Sequence, residues 1–558
     1  MKREVCLLGL GAIFVACAAC GGDKGADTDA TTDATSEAAT TDDASTAGPG
    51  TETGTDSDTD TSGTTDDGLP VDVPARGGIY IERVEANQGI GVDIGLDGGP
   101  VPGSDRTAYL VQGRVTLIRA FWVIPDDWAP RKIEGRLTIN FPDGTSEVKT
   151  NTATVEKDSF VGDLKRTFFW GLEVDRVVPG IRYQIELFEV EAGWEGIPEA
   201  GDIPPRAPYD GDAAVGIEDS YQRMKVMVVP FNYNSGDGCV TDLSNISEKA
   251  RQRFFDYMLM MNPIDTLELS WHEALSFNQK ISGLGQINQI LVDLREAETP
   301  DSPELYYYGV IDPCSGGVGG AAGLANGIPT NTAKGNAFMR VSAGILRDFA
   351  ASGENDDWLA INADTFVHEV GHSQGRRHVH CDGEAGTDPA YPNSTGEIGE
   401  WGWGVVDFNL KHDTVYKDYM TYCNPAWVST YGWNKVYPVI KELSSWDFDD
   451  AAPDDGETPL LLGYLYKSGE VGWVTTTGAA PADHERSAVH HLTLKTDEGD
   501  LPLAPAAHDL DDGTLLLVAP LPDAAAFAAA ESITWTDDVA GVTRALPAVE
   551  LRASDYTR

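Results

Sequence analysis

Residues 368–378 read His-Glu-Val-Gly-His-Ser-Gln-Gly-Arg-Arg-His. On a helix His368 and His372 are four apart and share a face, so both imidazoles can bind one metal ion. Glu369 sits beside them, placed to hold a water on that ion. A straight helix cannot return a later residue to the same ion. Gly375 supplies the break, because glycine accepts the positive φ that ends a helix sharply. The chain can then deliver His378 as a third nitrogen ligand. Three imidazoles plus a water make the open tetrahedral set of catalytic zinc, so Zn2+ is the expected cofactor. In a chain of 558 residues with ten His, the full pattern arises by chance roughly once in 50,000 sequences. That rarity makes it a site rather than a coincidence.

Competing signals are weaker. Gly371-His-Ser-Gln-Gly375 fits the G-x-S-x-G elbow of serine hydrolases around Ser373. That pattern is expected by chance about 0.4 times in such a chain. It also needs a buried strand upstream, where this sequence has His368 and Glu369. His484-Glu485 and His490-His491 offer no helix face, since the residue four after His484 is Ala488; they read as surface polar residues. Asp509-Leu-Asp-Asp-Gly513 has the composition of a structural Ca2+ turn, but a plain solvated turn is the preferred reading.

The elements that position the motif follow from periodicity. Trp358 to Val367 reads as the start of the motif helix, with Leu359, Ala363, Phe366, Val367 and Val370 apolar at helical steps. From 220 to 447 strands at 225–230, 267–271 and 305–311 alternate with helices. One is N-capped at Ser244 and runs through Phe254 and Met258; another spans 286–297. This is an α/β pattern. From 75 to 215, strands at 78–84, 114–124, 133–141, 167–174 and 183–190 predict a β-sandwich-like domain. Residues 457–558 read as a C-terminal β domain.

The N-terminus is an address. Lys2 and Arg3 precede the apolar stretch 5–19, which ends in Cys17-Ala-Ala-Cys20-Gly-Gly. Residues 1–20 therefore read as a lipoprotein signal with Cys20 acylated after cleavage; Cys17 and an ordinary secretory signal are the alternatives. Residues 21–70 form an acidic Thr/Asp-rich tether with too little apolar surface to fold: 21–68 hold 13 Asp/Glu against one Lys. The whole chain carries a net charge of −49, which repels phosphate backbones and excludes nucleic acid as a partner. With Cys6, Cys17 and Cys20 in the signal, Cys239, Cys314, Cys381 and Cys423 remain in an oxidising setting. They allow three pairings, and 239–314 with 381–423 is preferred.

The segment HEVGHSQGRRH resembles the extended zinc motif of the metzincin metalloproteases. In that family a Met-containing turn lies beneath the metal, and Asp418-Tyr-Met-Thr-Tyr-Cys423 is similar, with Met420 in the Met position. Tyr422, two residues on, takes by resemblance the role of a Tyr that stabilises the oxyanion. His378-Val-His-Cys381, Asp388-Pro-Ala-Tyr-Pro392, Gly396 to Gly402 and Tyr422 to Tyr431 resemble bacterial secreted lipoprotein metalloproteases, loosely related to a mucin-cleaving branch. The match covers roughly 225–440. It departs at Val379, where the family often has Asp or a small polar residue.

The resemblance implies a multidomain chain with a central α/β (α+β) metzincin-like catalytic domain flanked by β-sandwich-like domains. A 381–423 bridge would staple the two walls of the site. The implied activity is a lipid-anchored zinc endopeptidase of the bacterial envelope, acting on proteins or glycoproteins outside the cytoplasm. Its substrate would add as a strand along 318–325, unless that stretch is a glycine loop. A non-catalytic surface binding protein on the same scaffold is the alternative, and a Ser373 hydrolase the third choice. His380 is read as a residue outside the ligand set.

Overall fold

Period-two alternation builds the first region. Along Arg131–Asn140, Ile133, Gly135, Leu137 and Ile139 are buried and the alternate residues are more exposed, because successive strand side chains point to opposite faces. The computed structural model describes residues 73–558, apart from 195, 200–202, 316, 351–352, 382, 447–455, 524, 551, 553–555 and 557–558. The signal at 1–20, Cys20 and the tether at 21–70 lie outside the described residues.

One sheet of this region runs Ala213–Ala214, Arg182–Glu189, Arg131–Asn140, Ser146–Val155. The other runs Gly99–Pro100, Gly91–Leu96, Tyr80–Asn87, Thr116–Val123, Phe168–Leu172. Ile81, Val84, Ile118 and Trp170 of one meet Ile133, Leu137, Tyr183 and Ile185 of the other in a single core, so the region is a sandwich. Sequence reading misses Ser146–Val155. Its inner face reads Glu147, Lys149 and Asn151 before Ala153 and Val155, so the alternation is faint on this edge strand.

The central sheet runs Val240–Thr241, Arg223–Asn234, Tyr306–Ile311, Val341–Ile345, Gly323–Ala325; Thr266–Trp271 and Leu275–Phe277 also pair with Arg223–Asn234. Its main strands are parallel, and Gly323–Ala325 closes the edge antiparallel to Val341–Ile345. Tyr306–Ile311 is buried throughout, as expected for a strand covered on both faces. Tyr306, Tyr308 and Val310 face α1 (Glu248–Met261) and α3 (Asp356–Ser373), while Tyr307 and Ile311 face α2 (Gly285–Glu298). A fourth helix, α4 (Thr430–Ser445), packs into the α1–α3 core.

The cap of α1 is Ser247, whose hydroxyl accepts from Ala250 N at 3.0 Å, and not Ser244. Ser244 instead accepts from Asn232 Nδ2 at 3.2 Å, so the strand claims its hydroxyl before the helix begins.

The C-terminal region has two four-stranded sheets. The first runs Val471–Gly478, Thr458–Leu465, Leu515–Pro520, Ala506–Asp509; the second Gly499–Leu503, His490–Thr496, Ala530–Asp537, Val542–Pro547. Leu461, Trp473 and Leu517 face Leu492, Leu494 and Ile533 of the second sheet. Leu460, Leu462, Tyr464 and Leu516 face the other way and share a core with α2 and the central sheet. These regions belong to one unit, Leu69–Arg558. Both preferred disulfides, Cys239–Cys314 and Cys381–Cys423, are formed. No helix among the described residues is long and apolar enough to cross a membrane.

Candidate metal centre

Helix α3 starts at Asn355, whose side chain accepts from Trp358 N at 3.1 Å, with Asp356 and Asp357 in its first turn, where the helix dipole favours negative charge. It stops where the sequence places the break. Gly375 has φ +87; its N–H donates to His372 O at 2.8 Å, and Arg376 N–H donates to Gly371 O at 3.0 Å. This pair of bonds is a Schellman end, which satisfies carbonyls the helix would leave open. A Cβ on Gly375 would also meet Pro329 O at 2.8 Å, so glycine is required twice over.

The turn brings the three imidazoles together. Nε2 of His372 lies 3.1 Å from Nε2 of His368 and 3.1 Å from Nε2 of His378. Each Nδ1 is 2.8 Å from a backbone carbonyl: Tyr419 O for His368, Arg376 O for His372 and Ala385 O for His378. The Nδ1–H donates to that carbonyl, which leaves every Nε2 with a bare lone pair pointing inward. Burial, then the neighbouring imidazoles, pulls His368 well below its usual pKa; burial and His378 pull His372 down to about 3. Neutral rings with facing lone pairs repel one another unless a cation lies between them.

Two ligands on a tetrahedral zinc, each at roughly 2.0–2.1 Å, sit about 3.3 Å apart. The donor set and its spacing therefore fit zinc. Among the described residues it is the one group of three or more His, Cys, Asp or Glu close enough to share an ion; Asp509, Asp511 and Asp512 form no such group for Ca2+.

Glu369 lines the same pocket. Its Oε2 is buried without a hydrogen-bond partner. Burial, then the charge of Asp511, raises its pKa well above the usual carboxylate value, with a bond from the Ala325 backbone working against them. A Cβ on Gly323 would fall 2.4 Å from Glu369 Oε1, so the edge strand must be glycine where the carboxylate passes. Ala322 O and Asn326 N bond inward to Ile345 N and Val341 O; strand alternation therefore turns the polar groups of Gly323 and Ala325 outward.

Beneath the centre, Met420 is fully buried. Its sulfur packs on α3 so closely that a Cβ on Gly371 would meet it at 2.6 Å. The turn is pinned by Asp418, which accepts from Arg376 Nη2 at 3.0 Å, from Met420 N at 2.9 Å and from Ser429 Oγ. Glu384 accepts from Cys381 N and Tyr422 N, both at 2.8 Å, and so ties the ligand loop to the Met-turn beside the Cys381–Cys423 bridge. The Tyr422 hydroxyl reaches 3.2 Å from His378 Nε2.

Three residues escape sequence reading. Gly371 and Gly323 matter for what they lack; Gly323 falls within the 318–325 stretch offered as the substrate strand, but its closeness to Glu369 was not legible. Asp511 belongs to the C-terminal region, yet its Oδ2 lies 3.6 Å from His378 Nε2. The turn holding it is solvated at Asp509, Asp511 and Gly513 and packed at Leu510 and Asp512.

The remaining candidates fall elsewhere. Ser373 closes the last turn of α3, 2% exposed, with its hydroxyl donating to Glu369 O. It follows a helix rather than a strand. The His380 side chain is exposed and 3.9 Å from Glu384. His491 pairs with Asp538 and His490 stacks on Trp535.

No family model and no curated protein matches the chain. Among solved structures, a calcium-binding mutant of Bacteroides uniformis beta-glucuronidase 2 aligns at a TM-score of 0.14 and 10% identity, over 85% of this chain and 65% of that one. The chain thus spans less than two thirds of that protein's length, and a likeness this low carries no argument.

Proposed function

We propose that the chain is a zinc endopeptidase of the metzincin type, exported and anchored through a lipid on Cys20, that cleaves proteins or glycoproteins outside the cytoplasm. One observation carries the reading: three buried Nε2 lone pairs converge within 3.1 Å steps beside the unpartnered carboxylate oxygen of Glu369. A bound zinc would supply Lewis acidity at the scissile carbonyl and an acidified water. His368, His372 and His378 would hold it.

The chain's own groups do the rest. Outward-facing backbone of Gly323 and Ala325 binds the substrate as an added strand. Glu369 takes the proton of the attacking water and returns it to the leaving amine. The Tyr422 hydroxyl donates to the oxyanion of the tetrahedral adduct. The Cys381–Cys423 bridge and Glu384 keep Tyr422 in place over His378.

Ser373 has neither exposure nor a strand-to-helix turn, so the hydrolase reading draws no support from it. A binding protein without turnover would keep the zinc and have no use for Glu369. Glu369→Ala is expected to retain zinc and to lose peptide hydrolysis by about 10³-fold. Cleavage of casein or a mucin by Glu369→Ala at the wild-type rate would overturn the mechanism.

A further inference from the structure

Two strands lead from the metal centre into one cavity. The first is the edge strand Gly323–Ala325, which passes Glu369 at Gly323 and continues through Asn326 to Ile328. The second is Ala506–Asp509, which leads to the tip where Asp511 Oδ2 lies 3.6 Å from His378 Nε2. Ile328 and Ala506 line the same cavity of about 430 Å³, which opens between the 328–339 segment and the C-terminal region. That volume falls in the roughly 300–1,000 Å³ range of ligand pockets. Ile328 comes five residues after Gly323, and Ala506 five before Asp511. Five residues reach at most about 17 Å. Two separate paths therefore put the cavity within the same distance of the centre.

Its lining is apolar. Ile328, Phe338 and Met339 make one wall; Pro481, Ala506 and Val518 make the other. The whole chain carries a net charge of −49, yet among the described residues of the lining Glu485 is the only carboxylate and none is Lys or Arg. The polar groups at the rim are already engaged. Glu485 Oε2 accepts from Ala482 N at 2.8 Å, and Asn331 Oδ1 accepts from Asn336 Nδ2 at 2.8 Å and from Ala333 N at 2.9 Å. Burial pulls His508 below its usual pKa, against Glu485 and Asp509, so its ring is neutral near pH 7. Such a lining rewards apolar surface and offers little to a charged group. Both walls are fixed. Pro329 O abuts the helix-ending Gly375, and Ala479 N donates to Gly335 O at 3.0 Å.

From this geometry we propose that the cavity is a remote subsite of the substrate cleft, built jointly by the central and C-terminal regions. It takes an apolar side chain of the substrate about four to six residues before the scissile bond. The inference rests on the zinc protease reading above. The edge strand runs from Glu369 towards the cavity. A strand added in the antiparallel sense, the stronger pairing, runs from the cavity towards Glu369, so the residue that reaches the cavity precedes the cut. The occupant is the substrate chain itself, because the cavity continues the edge on which that chain would pair.

The test uses the zinc-loaded full chain and quenched fluorescent peptides built on the shortest casein fragment it cuts. Gly, Leu, Phe or Lys is placed in turn at each position up to about seven residues before and after the cut. Leu or Phe at one position about four to six before the cut should lower KM at least about tenfold against Gly. Lys should bring no gain. The value of kcat should hold, because a remote contact is made alike in the ground and transition states. Ala480→Trp fills the cavity and Ile328→Asp puts a charge in its wall; both positions are exposed, so the fold should stand. Each variant should erase the gain and cut the Gly peptide within about twofold of the wild type. Labelled forms of the same peptides should show an equal change in Kd by anisotropy on Glu369→Ala.

No preference before the cut, or one that survives both variants, would overturn the proposal and leave the protease reading intact. A preference found only after the cut would overturn the strand direction and the assignment with it. A chain that cuts nothing, yet binds labelled casein and loses it in Ala480→Trp and Ile328→Asp, would overturn the protease reading and keep the cavity as a peptide site. One that cuts nothing and either binds no casein or binds it equally in both variants would overturn the two together.

Discussion

The sandwich at 75–215 keeps most of its core to itself, whereas the one at 457–558 shares its core with the central sheet. Only Ile90, Val111 and Leu117 of the first are fully buried in the core under α1, α3 and α4. Partly buried Ala108, Val115, Leu164 and Phe169 pack at the edge of that core, Tyr109 stacks on Tyr437, and directed bonds add to the attachment. Arg114 donates to Gln88 O, Ile264 O and Met260 O at 2.7, 2.8 and 3.2 Å, and the indoles of Trp427 and Trp433 donate to Gly89 O and Tyr109 O. In the C-terminal region, Leu460, Leu462, Tyr464, Leu516 and Val518 merge with Phe231, Ile287 and Leu291. Hydrogen bonds orient one domain against another. A common apolar core, packed as tightly as any interior, makes the two move as one body. The second kind of joint is what holds a hairpin tip carrying Asp511 beside His378.

The largest effect that would sharpen this contrast comes from the shared core. Leu462→Ala should cost about 2–5 kcal/mol, as large-to-small changes at sealed sites do, and should speed hydrogen exchange in α2 and α3 together with the C-terminal strands. Leu137→Ala in the first sandwich should cost a similar amount and leave exchange in α2 and α3 as it was. Equal spread of both effects through the molecule would erase the distinction.

This difference was invisible in the sequence, and the reason is physical. Both flanks read as short alternating strands, and alternation reports that one face is buried without saying against what. Thr458–Leu465, with three leucines in succession, is buried on both faces, and that run was the one available hint. The centre itself was legible because a helix fixes the spacing of His368 and His372, and Gly375 is needed by backbone geometry alone. Met420 followed from resemblance, and the 381–423 bridge was the preferred one of the pairings that four cysteines allow. Asp511 was not legible: it lies 133 residues beyond His378, and only the fold of the C-terminal hairpin brings it near. The α1 cap was misplaced from Ser247 to Ser244 because two serines three residues apart carry the same local signal, and a strand bond decides between them.

A smaller effect probes the polar joint. Arg114→Met removes two bonds across the seam, to Met260 O and Ile264 O, and one within the sandwich, to Gln88 O, at a cost of about 2–3 kcal/mol in urea unfolding. Zinc affinity should stay within about twofold, since no ligand or its carbonyl partner is touched. A large loss of zinc affinity would show that the first sandwich, too, holds the centre in place.

The last effect is a slope in pH. His372 titrates near 3 in the folded chain because burial and His378 disfavour its charge, against about 6.5 when unfolded. Between those values the unfolded state binds more protons, so stability rises with pH and falls as acid is added. The loss amounts to about 1.4 kcal/mol per pH unit for each imidazole that behaves this way. In the metal-free chain, hydrogen exchange at pH 5 should therefore rise first in α3 and only later in the strand Tyr80–Asn87. Simultaneous loss in both would assign the acid sensitivity to other groups.

Metal stoichiometry tests the central claim most directly. The account predicts about one zinc per chain in the purified folded protein, and a ratio near zero in a folded His368→Ala variant. A folded wild type without zinc, or a His368→Ala variant that keeps its full complement, would contradict it.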